Sequence, residues 1–139
     1  VYGPYQVGEG AIQRFCLAAL AGEPLWINGD GSQIRAWCYI DDFVRGVLLC
    51  LEKPAALGEV FNIGNHTAAV TILDLAERII RLAGSSSTVN HRDELGADVA
   101  LRIPSTRKAR ELLGFVPEIK LDEGLRRTID WYREYAPRL

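Results

Sequence analysis

The chain has 139 residues, of which 48% are hydrophobic and 24% charged, so it can form one globular domain with a modest core but not two. Its net charge of −2 gives no sign of a nucleic-acid partner. No apolar run approaches the roughly 18 residues that cross a bilayer. We therefore expect neither a nucleic-acid nor a membrane partner.

The three cysteines lie far apart in the sequence and in apolar surroundings, at Cys16, Cys38 and Cys50. This pattern predicts buried thiols in a reducing cytoplasm rather than a disulfide or a metal site. His66 and His91 add no ligand cluster to them. The chain starts at Val1 and contains no methionine, which predicts a piece of a longer protein and leaves open how it was cut.

The first third of the chain predicts one helix and two strands. Apolar residues recur at helical spacing over residues 11–21, and Gly22 is typical of a helix end. A short strand is predicted at residues 25–27, a tight turn at 29–32, and an alternating strand at 34–40. The turn lacks the lysine and the following helix of a phosphate-binding loop.

The middle of the chain predicts two helices separated by a strand. Asp41 or Asp42 is expected to cap a helix that runs to about Lys53, just before a proline. A strand is predicted at residues 59–63. Thr71 with Asp74 resembles a capping box and opens a helix that ends at Gly84.

The last third predicts a strand, a loop and two helices. The strand is expected at residues 89–91 and the loop at 92–104. Ser105 or Thr106 begins a short helix that ends at Gly114, and Asp122 begins the last helix. The fold class is therefore α+β, helix-rich with a few short strands, which pair more easily with a missing neighbour than with each other.

Seven short motifs in one order resemble the C-terminal part of extended short-chain dehydrogenases/reductases that act on nucleotide sugars, the NAD-dependent epimerase/dehydratase family. They are Tyr2-Gly3-Pro4, Gly22-Glu23-Pro24-Leu25, Gly29 to Arg35, Tyr39-Ile40-Asp41-Asp42, Phe61-Asn62-Ile63-Gly64, Lys108 to Phe115 and Glu123 to Thr128. The resemblance implies that residues 1–139 form the small substrate-binding domain of a larger α/β Rossmann-type enzyme. It implies dTDP-glucose 4,6-dehydratases, UDP-glucuronate decarboxylases and UDP-sugar 4-epimerases as the nearest members.

Two motifs of this family are missing from the chain. The Gly-x-x-Gly-x-x-Gly turn that binds the dinucleotide is absent, and no tyrosine is followed four residues later by lysine. We therefore expect no catalytic residue and no NAD binding in the chain alone. NAD is implied for a full-length enzyme, with the Rossmann domain as the missing partner.

The resemblance implies that arginines hold the diphosphate of a UDP- or dTDP-sugar. Arg35 matches the family arginine on the diphosphate, and a guanidinium can grip a phosphate through two hydrogen bonds. Arg102 is similar to a second such arginine, and Arg92 competes for that role. The alternative is that these are solvated charges, with Arg35 paired to Asp30 or Asp41.

Other positions are implied near the base and the sugar. The strand over which the nucleobase lies matches four residues, Leu25, Trp26, Ile27 and Asn28, whose alternative is a plain buried strand. Relatives often carry an aromatic residue at position 28, so Trp26 is a substitute for stacking. Arg14 is placed near the sugar or phosphates by the resemblance, against a favoured alternative of a solvent-facing helix residue. Residues 6–10 lie near the sugar in relatives. Asn62 is expected to bond backbone, and Asp42 to cap a helix.

Three functions remain open from the sequence. The first is the substrate-binding domain of an NAD-dependent enzyme that removes hydride from the sugar C4. The second is a stand-alone nucleotide-binding or interaction module without chemistry. The third is an inactive fragment that self-associates as a homodimer through exposed strand edges.

Overall fold

A computed structural model describes residues 1–6, 8, 10–93 and 99–135. The helices are α1 (Ala11–Ala21), α2 (Ile40–Glu52), α3 (Ile72–Ala83), α4 (Arg107–Leu113) and α5 (Leu121–Tyr135), with a single 3-10 turn at Pro54–Ala56. The strands are β1 (Leu25–Asn28), β2 (Ile34–Ala36), β3 (Ala69–Thr71), β4 (Val89–Arg92) and β5 (Leu101–Arg102). The predicted α+β class with few short strands is confirmed. Among the described residues, no helix is long and apolar enough to cross a bilayer.

The helix ends follow local chemistry. Gly22, Gly84 and Gly114 each adopt the left-handed conformation just past α1, α3 and α4, where glycine carries no Cβ penalty. The Thr71 hydroxyl accepts a hydrogen bond of 3.0 Å from the Asp74 amide at the start of α3. These predicted ends are confirmed because each depends on residues within one turn of the helix.

The strands form two small sheets. β1 pairs in parallel with β4. β2 lies between β3, which is antiparallel to it, and β5, which is parallel. The predicted turn at residues 29–32 therefore joins strands of different sheets. β3 was not predicted, and β5 lies inside the predicted loop 92–104, of which residues 94–98 fall outside the described part.

Two predicted strands differ from the structure. The strand predicted at 34–40 ends at Ala36. Beyond that point the Trp37 amide donates to the Ala68 carbonyl and an isolated bridge joins Tyr2 and Tyr39, but no strand continues and α2 begins at Ile40. The segment predicted as a strand at 59–63 joins neither sheet of the described part. It has the composition of a strand but no strand beside it to bond.

The role predicted for the aspartates before α2 is wrong. The N-cap is Tyr39, with no side-chain capping bond, and both aspartates lie inside the helix. Asp42 is buried, and its carboxylate accepts hydrogen bonds from the amides of Glu118 and Ile119 and from Arg45, at 2.7–3.1 Å. The Asp42 side chain therefore links the start of α2 to the segment before α5 and does not cap its own helix. The last helix starts at Leu121, one residue before the prediction.

The main core lies between α1, α3 and α5 and the inner face of β1. Its fully buried members include Ile12, Leu25, Leu75, Ile79 and Leu125. Tyr2 joins this core from the chain start: it lies edge-to-face on Tyr39, and its hydroxyl donates to the Leu121 carbonyl at 3.2 Å. A second cluster of Ala109, Leu113 and Phe115 packs against α2 and residues 61 and 63. The free thiols Cys16 and Cys38 are buried as predicted, and burial raises the pKa of Cys16 to about 12. Cys50 was predicted to be buried as well but is only partly buried.

Candidate functional site

Two predicted arginines are brought together by strand pairing. Arg35 on β2 and Arg102 on β5 are register partners in the parallel pair. Register partners of neighbouring strands present their side chains on the same face of a sheet. Two residues that are distant in sequence therefore place two guanidinium groups side by side.

These arginines line one cleft of about 540 Å³. Its other walls are mainly apolar or uncharged: Val1, Ala11, Ala36, Trp37, Cys38, Ile63, Gly64, Asn65, Ile72, Ile103 and Pro104. No carboxylate lines it within the described residues. A cleft of this size that is lined by two positive charges is suited to an anionic ligand.

The two guanidinium groups differ in their surroundings. Arg35 is half-buried and donates through Nη1 to the carbonyl of Ile34 at 2.9 Å, which fixes the group on the sheet. Arg102 is exposed, and its guanidinium makes no hydrogen bond or ion pair with a side chain in the described part of the chain. Its donors are available to a ligand. Of the carboxylates considered as partners for Arg35, Asp41 pairs with Arg127 at 3.3 Å, and Asp30 accepts from the Ser32 amide.

The strand β1 presents a different set of groups. Leu25 and Ile27 are buried in the main core. Their side chains therefore agree with the alternative that these two residues belong to a plain buried strand. The amides of Leu25 and Gly29 donate to the carbonyls of Thr88, just before β4, and Arg92, at 2.8 and 2.9 Å. Because bonding direction alternates along a strand, the backbone groups of Trp26 and Asn28 face the opposite edge, which no strand of the described part covers.

Some groups at this edge of β1 are exposed, and others already make hydrogen bonds within the protein. The Trp26 ring is 48% exposed and is available as a surface for stacking. The Asn28 amide oxygen accepts from Arg92 at 2.7 Å, and its carbonyl accepts from Gln33 at 3.2 Å. Arg92 is therefore engaged at the end of β1 and is not among the residues that line the Arg35 cleft.

The remaining predicted positions lie elsewhere. Arg14 is exposed on α1 and lines a separate cleft of about 910 Å³ with Tyr132 and Arg133, so it is not brought together with Arg35. Asn62 donates to the carbonyl of Ser105 at 3.3 Å, which confirms the predicted bond to backbone. No pattern in the sequence singles out Trp37, which lines the Arg35 cleft and whose buried indole nitrogen has no partner among the described residues.

The residues present do not fit NAD. The chain contains no Gly-x-x-Gly-x-x-Gly turn, and the Gly29–Ser32 turn leads into β2 rather than into a helix whose N-terminus could hold a pyrophosphate. Within the described residues, no group of three or more His, Cys, Asp or Glu side chains could hold a metal ion.

Comparison with known proteins gives consistent matches. The chain is 36% identical over 134 residues to a UDP-glucuronate 4-epimerase of Thermodesulfobacterium geofontis, covering 96% of this chain and 41% of that protein. It is 36% identical to a dTDP-glucose 4,6-dehydratase of Streptomyces niveus, covering 96% of this chain and 39% of that protein. The chain therefore spans about two fifths of the length of these curated relatives.

A solved structure shows the same fold. The UDP-glucuronic acid 4-epimerase of Bacillus cereus, in complex with UDP-glucuronic acid and NAD, superposes with a TM-score of 0.89 at 34% identity. The superposition covers 96% of this chain and 42% of that one. Residues 1–64 also match the NAD dependent epimerase/dehydratase family. The chain therefore belongs to the NAD-dependent epimerase/dehydratase family.

Proposed function

We propose that this chain is the substrate-binding part of an enzyme that acts on nucleotide sugars, and that Arg35 and Arg102 hold the diphosphate of a UDP- or dTDP-sugar. The observation that carries the proposal is their register pairing on one cleft that both side chains line. Two neighbouring guanidinium groups offer several N–H donors in fixed planes, which match the oxygens of adjacent phosphates. The relatives named above act on UDP- and dTDP-sugars.

The open edge of β1 supports a place for the base. A pyrimidine presents alternating donors and acceptors along one edge, and the Trp26 amide and carbonyl with the Asn28 amide offer the same kind of alternation, while the Asn28 carbonyl already accepts from Gln33. The exposed Trp26 ring can cover a face of the base. Leu25 and Ile27 then support the strand from the core side, and only their neighbours touch the ligand.

The contribution of this chain to the reaction is positioning. When bound by the rest of such an enzyme, NAD supplies a hydride acceptor. The residues of this chain hold the diphosphate and base so that the sugar is presented in a fixed orientation. Because the interactions with phosphate and base do not change during the reaction, they contribute to binding and orientation rather than to bond breaking.

Titration of the 139-residue chain with UDP, dTDP and inorganic phosphate, followed by NMR chemical shifts, tests the proposal. Arg35→Ala and Arg102→Ala should each raise the Kd for UDP by roughly 10- to 100-fold, as expected for a lost charge-assisted hydrogen bond of about 1.5–3 kcal/mol. Arg14→Ala is the matched control, because it removes an exposed arginine that lies outside the cleft. Equal Kd values for all four proteins would contradict the proposal.

A further inference from the structure

A second cleft of about 590 Å³, termed the α4 cleft, lies beside helix α4. Two arginines of that helix line it, Arg107 and Arg110, together with the ring of His66. The rest of its lining within the described residues is hydroxyl-bearing or apolar: Thr67, Ile103, Pro104, Ser105, Thr106, Phe115, Val116 and Pro117. The α4 cleft has the volume of a small-molecule site, and its charge favours an anion.

The two arginines of the α4 cleft have no acidic partner within the described part of the chain. Both are exposed, and neither guanidinium makes a hydrogen bond or ion pair with a described side chain, Glu111 included. Lys108 on the same helix differs, since it pairs with Glu59 at 2.6 Å. Residues three apart are neighbours on a helix, so the two guanidinium groups repel each other. An anion between them would remove this repulsion and use donors that the protein leaves available.

A histidine and a hydroxyl add polar groups to the same cleft. The Nδ1 atom of His66 lies 2.9 Å from the Thr106 hydroxyl, and Thr106 is buried, so this hydrogen bond holds the ring in place. The Nε2 atom, on the other side of the ring, remains available to a ligand. Ser105 is exposed beside it, and its carbonyl accepts a hydrogen bond from Asn62 at 3.3 Å. Guanidinium, imidazole and hydroxyl groups together match the several oxygens of a phosphate group.

The remaining wall of the α4 cleft is apolar. Val116 and Ile103 are 51% and 43% exposed, and the buried Phe115 lies beneath them in the lining. An inorganic anion on the arginines would leave this apolar surface uncovered, whereas an organic ligand would remove it from water. The cleft therefore combines a place for a charged group with a place for a carbon skeleton.

We infer that the α4 cleft binds an organic phosphate monoester, with the phosphate on Arg107 and Arg110 and the carbon skeleton against Val116. Neither Arg35 nor Arg102 lines this cleft, so the inference goes beyond the proposed function. The two clefts share the wall formed by residues 103 and 104. The experiment must therefore separate a ligand in one cleft from a ligand in the other.

Titration of the 139-residue chain with phenyl phosphate and with inorganic phosphate tests the inference. Amide chemical shifts at residues 66, 67 and 105–107 should change and saturate, with a Kd about 10-fold lower for phenyl phosphate because part of its ring is buried. Arg107→Ala and Arg110→Ala should each raise this Kd by about 10-fold through a lost charge-assisted hydrogen bond. Val116→Ser should narrow the difference between the two probes. Arg14→Ala is the matched control, since Arg14 is an exposed helix arginine outside the α4 cleft.

The absence of a saturable shift at residues 66, 67 and 105–107 would overturn the inference. Equal Kd values for the two probes would overturn the assigned ligand class, because the apolar wall would then contribute nothing. The variant Arg35→Ala separates the clefts: it should weaken UDP binding and leave phenyl phosphate binding at residues 105–107 unchanged. If Arg35→Ala weakened phenyl phosphate as much as Arg107→Ala does, the ligand would lie in the Arg35 cleft and the inference would fail while the proposed function stood.

Discussion

Arg35 and Arg102 stand opposite each other in the parallel β2–β5 pair, with like charges on the same face of the sheet. Like charges directly opposite each other destabilise a strand pair. An anion bound between the two guanidinium groups would offset this cost. Arg102→Ala should therefore leave the free energy of unfolding unchanged or raise it by up to about 0.5 kcal/mol without ligand.

The same substitution should lower the stabilisation that UDP gives. Thermal unfolding with and without UDP measures both effects, and the shift should be larger for the original chain at low ionic strength than at high. A loss of stability in the absence of ligand would mean that Arg102 has a structural role instead. The exposed Arg14 again provides the control substitution.

Asp42 should be essential for stability rather than for binding. Its carboxylate is 2% exposed and accepts two backbone amides and one arginine. Asp42→Asn removes the charge and places an amide where donors already point, so it should cost about 2–3 kcal/mol in urea unfolding. Asp41→Asn is the matched control, because Asp41 is 63% exposed and should change stability by less than about 0.5 kcal/mol.

Asp122 should make stability depend on pH. Burial alone would raise the pKa of this carboxyl, but hydrogen bonds from Arg78 on α3 and from Arg81 outweigh burial and lower it. Because the folded pKa lies below the ordinary value of about 3.9, the stabilisation is present above that pH and is lost as the pH falls through the lower folded value. Asp122→Asn should cost about 1 kcal/mol at pH 7 and nothing well below the folded pKa.

Unfolding in urea at several pH values measures this difference. Asp130→Asn is the control, since Asp130 is 69% exposed and pairs with Arg133 of its own helix. If the loss of unfolding free energy caused by Asp122→Asn stayed constant down to low pH, packing rather than charge would hold α3 against α5 at this point.

Gly46→Ala should destabilise the chain because the added methyl group meets Ile63 and Phe115. Alanine normally favours a helix over glycine, so the expected sign is opposite to that of helix propensity. We expect a loss of about 1–3 kcal/mol from overpacking, measured by thermal unfolding. Val44→Ala, on the exposed side of the same helix, should change stability by less than about 0.5 kcal/mol, since that side chain is 47% exposed.

The sequence predicts those features that depend on neighbouring residues. Gly22, Gly84 and the Thr71 cap are read correctly because a helix end is decided within one turn. The short strand β3 was not predicted because its three residues form a strand only when β2 lies beside them. Asp42 is misread for the same reason, since its partners come from residues 118 and 119 and no local pattern reveals them.

The candidate site follows the same rule. Each arginine alone looks like a solvated charge, and only the family resemblance singles out Arg35 and Arg102. Their pairing depends on the register between β2 and β5, which no local pattern reveals. At β1 the alternation correctly separates the buried Leu25 and Ile27 from Trp26, but it does not show which edge of the strand is open.

Two hydrogen bonds join the segment before α1 to α5, and they affect how the chain folds during synthesis. Tyr2 bonds the Leu121 carbonyl, and the Tyr132 hydroxyl donates to the Gln6 carbonyl at 2.8 Å, so the start of the chain is held by its last helix. A ribosome makes residues 121–132 long after residues 2 and 39, so the aromatic groups at positions 2 and 39 stay uncovered until α5 has been translated. Chaperone binding to nascent chains that stop before residue 121 is the expected result, and release should coincide with the emergence of α5.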